Sequence, residues 1–140
     1  MKLLLVEDDR DAAAMLQLLL RHGGHDVVLA SSGPEALRHA SDHRPDVVVS
    51  DIRLPGMSGR ELARALREDP EQHGVILIAL SGFDRQVDRE RSLAAGFDEH
   101  LVKPVSLSGL QHAIESALSR KRTLDPERTG ARVPERAPGW

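Results

Sequence analysis

Short apolar runs alternate along the chain with stretches whose apolar residues recur every three or four positions. The runs are Lys2–Val6, Asp26–Ala30, Asp46–Ser50, Val75–Leu80 and His100–Val102. All but the last are rich in Val, Ile or Leu without polar alternation, which predicts strands buried on both faces. Asp9 is placed to cap a helix reaching about His22, with Ala13, Leu16, Leu19 and Leu20 on one stripe and Gly23-Gly24 to stop it. Ser32-Gly33-Pro34-Glu35 predicts a capping box with Pro in the first turn, opening a helix that carries Ala36, Leu37 and Ala40. Ser58-Gly59-Arg60-Glu61 predicts a second box, followed by Leu62, Ala65 and Leu66. A fourth helix is expected over Gln86 to Ala95, ended by Gly96. The fifth has the clearest period, in Leu107, Leu110, Ala113, Ile114, Ala117 and Leu118.

Strand–helix alternation repeated five times implies right-handed crossovers and a parallel sheet covered on both faces. The expected class is α/β, a doubly wound five-stranded parallel sheet in the flavodoxin-like order 2-1-3-4-5. From Arg120 the pattern collapses. Residues 121–140 carry Pro126, Pro134, Pro138, Gly130 and Gly139 among charges and are expected to form a flexible tail behind a domain of residues 1–120.

Composition narrows the function. At 140 residues and 40% apolar content the chain supports one domain with a core. With no cysteine there is no disulfide framework, thiolate metal site or thiol nucleophile. The longest apolar run has six residues, and Glu7, Asp8 and Asp9 interrupt the only apolar start, so no membrane span or signal peptide is read. A cytoplasmic location is expected. Residues 1–119 hold 13 basic and 19 acidic residues. That acidity, with 2% aromatics, argues against direct contact with nucleic acid.

In open parallel sheets chemistry sits beyond the carboxyl ends of the strands. Glu7, Asp8 and Asp9 follow the first run, Asp51 the third, Ser81 and Gly82 the fourth, and Lys103 and Pro104 the fifth. With strands one and three as neighbours, Glu7, Asp8 and Asp51 converge. Three carboxylates repel unless a cation joins them, and an oxygen-only set without Cys or His suits Mg²⁺. Mg²⁺ and Lys103 together balance the three negative charges. A phosphoryl group on one carboxylate would meet a metal, an ammonium and a hydroxyl, which describes an acyl-phosphate site. Taken singly, these residues are ordinary caps, turn residues and surface charges; the reading rests on their joint placement.

The chain resembles a response-regulator receiver domain of two-component systems. The resemblance is carried by Leu4-Leu5-Val6-Glu7-Asp8-Asp9, Asp46-Val47-Val48-Val49-Ser50-Asp51-Ile52-Arg53-Leu54-Pro55-Gly56-Met57-Ser58-Gly59, Ala79-Leu80-Ser81-Gly82 and Ala95-Gly96-Phe97-Asp98-Glu99-His100-Leu101-Val102-Lys103-Pro104. It covers about residues 1–119. It implies that Asp51 takes a phosphoryl group from the phosphohistidine of a sensor histidine kinase or a phosphotransfer protein. Glu7, Asp8, Asp51 and the backbone carbonyl of Arg53 would hold Mg²⁺. Ser81 and Lys103 would each engage a phosphoryl oxygen. The only chemistry implied is self-directed phosphotransfer and slow autodephosphorylation. Output is expected through a protein partner on the face of the fourth helix, fifth strand and fifth helix. The Lys103–Pro104 peptide is cis in this family. Ser81 and His100 would form the switch, although His100 stands where Tyr or Phe is usual, and Val105 replaces a frequent Phe. His100 and Val105 resemble C-terminal receivers of hybrid histidine kinases, while Met1 directly before the first strand resembles a free-standing receiver. Arg53 and Phe83, two residues after Asp51 and Ser81, stand where the resemblance implies control of dephosphorylation. Their bulk suggests a shielded, long-lived phosphoryl group.

Rival chemistries are less well supplied. A haloacid-dehalogenase-type phosphatase needs an acid two residues after the nucleophile, where this chain has Arg53. A flavodoxin needs a polar phosphate loop where three acids stand. Neither Gly-x-Gly-x-x-Gly nor Gly-Lys-Ser/Thr occurs. His39 and His43 lack a nearby third zinc ligand, and Ser81 lacks the glycine-flanked elbow of a hydrolase nucleophile. A pseudo-receiver acting by protein contact alone remains the alternative.

Overall fold

The computed structural model describes residues 1–124, with side chains to residue 121. Five strands, β1 (Lys2–Val6), β2 (Asp26–Ala30), β3 (Val47–Asp51), β4 (Ile76–Ser81) and β5 (Glu99–Val102), alternate with five helices. These are α1 (Arg10–His22), α2 (Gly33–His43), α3 (Gly59–Glu68), α4 (Gln86–Ala95) and α5 (Leu107–Leu124). Every pairing is parallel and the sheet order is β2-β1-β3-β4-β5, as expected.

Period-two alternation splits the strands between two cores. Leu4, Val6, Val48, Leu77 and Ala79 face Ala36, Ala40, Leu62 and Leu66 of α2 and α3. Leu3, Leu5, Val47, Val49, Ile78 and Leu80 face Leu16 and Leu20 of α1 and Leu110, Ala113, Ile114 and Ala117 of α5. Each fully buried Leu or Ile contributes ~1.5–3 kcal/mol of transfer free energy. β2 lies at the sheet edge, so Val28 and Leu29 are only half-buried, against the two-sided burial its sequence suggests.

Helix ends follow their caps. The Asp9 carboxylate accepts from the amides of Asp11 (2.9 Å) and Ala12 (3.1 Å). Ser58 and Glu61 make a complete capping box, with bonds of 3.1 and 2.8 Å. The box expected at Ser32 is half-made. Ser32 Oγ accepts from the Glu35 amide (3.3 Å), but the Glu35 carboxylate bonds the amide and hydroxyl of Ser31, both at 2.8 Å. Gly96 closes α4 with φ 119°, a backbone conformation that favours glycine.

Four elements differ from the sequence reading at their ends, and β5 begins at Glu99, one residue before the expected His100. β3 and β4 each run one residue later, because Asp51 pairs with Leu80 and Ser81 with Val102, which extends the ladder. Asp51 and Ser81 are therefore the last residues of their strands. α5 continues to Leu124, four residues past Arg120, and the Arg120 guanidinium donates to the Asp98 carbonyl (2.8 Å). From residue 125 the expected tail lies outside the described residues. No helix among the described residues is long and apolar enough to cross a membrane.

Candidate functional site

Adjacent parallel strands place the ends of β1 and β3 side by side, and β4 and β5 complete one rim of the sheet. Ligand oxygens of Glu7, Asp8 and Asp51 all lie within 4.8 Å of one another there. Glu7 and Asp51 are buried, and Asp8 is exposed. Lys103 reaches in from beyond β5. Its Nζ donates to Glu7 Oε1 (3.1 Å) and to Asp51 Oδ2 (3.0 Å). The Lys103–Pro104 peptide is cis.

Local structure fixes each carboxylate. Glu7 Oε2 accepts from the Asp9 amide (3.1 Å), while Asp9 itself is occupied as the α1 cap. Asp51 Oδ1 accepts from the Arg53 amide (3.3 Å). Behind Asp51 the first turn of α3 comes so close that a Cβ on Gly59 would collide with the Asp51 carbonyl oxygen. Gly59 is needed for that approach, and its amide donates to the Ile52 carbonyl (2.8 Å).

Charge is unevenly compensated. Burial pushes the Glu7 carboxyl above its ordinary value, and the negative Asp51 adds to this against the hydrogen bonds from Asp9 and Lys103. Burial works to lower the Lys103 pKa, but hydrogen bonds to Asp51 and Glu7 and their charges outweigh it, leaving the ammonium above its ordinary value. One ammonium thus faces three carboxylates. An oxygen-only donor set with two uncompensated negative charges fits a hard divalent cation such as Mg²⁺.

Ser81 is buried, and its Oγ accepts from the Phe83 amide (3.0 Å). It lines the same cleft as Asp8, Asp51, Arg53 and Lys103. His100 does not reach that cleft. It is buried beneath α4, where Nδ1 shares a hydrogen bond with Ser92 Oγ (2.9 Å) and Nε2 with the Phe83 carbonyl (3.2 Å). The Phe83 carbonyl partner ties His100 to the loop that begins at Ser81. The Arg53 guanidinium carbon lies 5.0 Å from the Phe83 ring centroid, and that of Arg85 lies 5.4 Å away. His39 and His43 sit 5.6 Å apart between ring centroids, and no metal-ligating group of three forms around them among the described residues.

Sequence reasoning missed Ser92, the polar partner that lets a histidine be buried here, and Asp88, which is buried on α4 and ion-paired with Arg85 (2.8 Å). The spacing of Arg85 and Asp88, three apart at a helix start, was the available signal.

Comparison with known proteins agrees with this geometry. The model of the response regulator receiver domain matches residues 3–115. The transcriptional regulatory protein PrrA of Mycobacterium tuberculosis is 40% identical over 121 residues, covering 86% of this chain and 51% of PrrA. The DNA-binding response regulator MtrA of Mycolicibacterium paratuberculosis is 34% identical over 119 residues, covering 85% of this chain and 52% of MtrA. The chain therefore spans about half the length of these relatives. Their names do not bear out the expectation, drawn from charge and aromatic content, of no nucleic-acid contact. Among solved structures, the receiver domain of the Pseudomonas aeruginosa sensor histidine kinase PA1611, with a magnesium ion coordinated in its active site cleft, superposes with TM-score 0.76. It is 34% identical and covers 82% of this chain and 94% of that one. Sheet order, strand-end chemistry and family match together make this chain a member of the response regulator receiver domain family, a signalling module of two-component systems.

Proposed function

We propose that the chain is a phosphoacceptor in which Asp51 takes a phosphoryl group from the phosphohistidine of a sensor histidine kinase or phosphotransfer protein. The observation that carries this is the double hydrogen bond from Lys103 Nζ to Glu7 and Asp51 beside the exposed Asp8 carboxylate. An Asp51 carboxylate oxygen attacks phosphorus and the phosphorus–nitrogen bond breaks; its electron pair stays on the ring nitrogen released, and with a proton on the other ring nitrogen the imidazole leaves neutral. Lys103 is placed to hold one phosphoryl oxygen by a charge-assisted bond. Ser81 offers its hydroxyl to another, since its present interaction uses Oγ only as an acceptor. Glu7, Asp8, Asp51 and the Arg53 carbonyl would hold Mg²⁺, which supplies charge neutralisation of the transferring group.

Ser81, its loop and His100 form a chain of contacts from the acceptor to α4. Phosphorylation that moves the Ser81 hydroxyl would disturb the Phe83 amide, whose carbonyl is bonded to His100. Output would then pass to a partner over α4, β5 and α5, where Val87 and Leu93 are exposed. The phosphoryl group would be long-lived, because neither Arg53 nor Phe83 can orient an attacking water as a base.

The test is peptide mapping after incubation with Mg²⁺ and acetyl phosphate. A phosphoryl group on the peptide containing Asp51, absent from Asp51→Asn, supports the reading. A modification on another residue overturns the assignment, and no modification in a folded parent favours the pseudo-receiver.

A further inference from the structure

The body of the domain is acidic, yet four of its arginines line one cleft. A cavity of about 920 Å³ runs from the Asp51 rim between the start of α3 and α4. Arg53, Arg60, Arg85 and Arg91 line it, and beyond the Asp51 rim the one carboxylate among its lining residues is Asp88. That carboxylate is committed to Arg85, which donates from Nε (2.8 Å) and Nη2 (3.4 Å). Three positive charges are left over.

Arg60 is the least satisfied of the four. Its Nη2 donates only to the Asp88 backbone carbonyl (3.3 Å), and its Nε is buried with no hydrogen-bond partner. Burial holds this guanidinium below the ordinary arginine value; Asp88 opposes that, and repulsion from Arg91 and Arg64 adds to it. Arg91 is exposed and its guanidinium donates no hydrogen bond among the described residues. A cluster of like charges around a buried, unpaired donor is unfavourable alone and is relieved by an anion. Guanidinium forks match phosphate geometry.

We propose that this α3–α4 cleft binds a small phosphate-bearing anion of two or more negative charges. Arg60 and Arg91 hold the charge, and Arg53 and Arg85 stand at the mouth. The cleft is within the size range of small-molecule pockets, roughly 300–1,000 Å³. Phe83, 44% exposed between Arg53 and Arg85, offers a ring face at the mouth. A nucleoside polyphosphate would use that face and a simple polyphosphate would not.

Calorimetric titration in metal-free buffer tests this, with pyrophosphate and then ATP as probes. The parent is expected to bind pyrophosphate saturably at one site, and folded Lys103→Met to retain that binding. Arg91→Gln, at an exposed position, is expected to weaken binding about tenfold, or ~1.4 kcal/mol. Arg60→Gln is expected to weaken it at least as much. Tighter binding of ATP than of pyrophosphate, lost in Phe83→Ala, identifies a nucleotide; equal binding identifies a free polyphosphate. Absence of saturable binding by both probes overturns the proposal. So does binding unchanged in Arg91→Gln, or binding lost in folded Lys103→Met, which would locate the anion at the acceptor site. Capture of poly-glutamate with neither phosphate probe bound overturns it in favour of an acidic protein partner.

Discussion

Replacing Lys103 by Met keeps the apolar stem and removes the charge that bridges Glu7 and Asp51. At 3.0–3.1 Å each contact is worth roughly 5 kcal/mol of attraction at an effective dielectric of ~20. Desolvation of the ammonium offsets much of that. Breaking a buried pair typically costs ~3–5 kcal/mol, because the partner charge is left behind. The Lys103 side chain is 34% exposed and that of Glu7 2% exposed, so solvent screens one side only. A loss of about 2–3 kcal/mol follows for the Mg²⁺-free protein, somewhat below that range because of the screening. With a urea slope of ~1–3 kcal/mol per molar, the unfolding midpoint should fall by roughly 1–2 M. Added Mg²⁺ should narrow the gap, since the variant offers the cation three carboxylates without a competing ammonium. The assay is urea unfolding by circular dichroism with and without Mg²⁺. Indistinguishable midpoints for parent and variant in Mg²⁺-free buffer would refute the charge-compensation argument.

Glu7→Gln should act in the opposite direction. A carboxyl whose folded pKa is raised gives stability that is present below its unfolded value and lost as pH rises through the folded one. Without Mg²⁺, the variant should therefore be more stable than the parent at neutral pH, with the advantage shrinking on acidification, as thermal melts against pH would show; an advantage that grows with acidity contradicts this. Asp8→Ala should weaken Mg²⁺ affinity by calorimetry, and an unchanged affinity would remove Asp8 from the metal set. The double variant Arg53→Asn with Phe83→Glu should shorten the phosphoprotein lifetime, because it removes the stacked pair from the rim; decay no faster than the parent sinks the shielding idea.

Much of this architecture was legible because strands and helices announce themselves locally. Val/Ile/Leu runs gave the five strands within a residue or so, and Asp9 and Ser58 gave helix starts that depend on bonds two or three residues away. What was misplaced depends on partners far along the chain. The one-residue shift of β3 and β4 comes from cross-strand register, and the half-made cap at Ser32 comes from Ser31 competing for Glu35. The acceptor site was readable because each member closes a different strand, and topology alone brings strand ends together. The resemblance implies a switch role for His100, but its burial against Ser92 and the Phe83 carbonyl needs the packing of α4 on β5. The arginine cleft left no motif, since Arg53, Arg60, Arg85 and Arg91 are brought together by α3 and α4 lying side by side.

Intact-mass spectrometry of the parent incubated with acetyl phosphate, with and without Mg²⁺, tests the acceptor assignment most directly. One added phosphoryl group, dependent on Mg²⁺ and absent from Asp51→Asn, is the predicted result. An unmodified parent that binds Mg²⁺ and remains folded, or an Asp51→Asn variant labelled as fast as the parent, would contradict it.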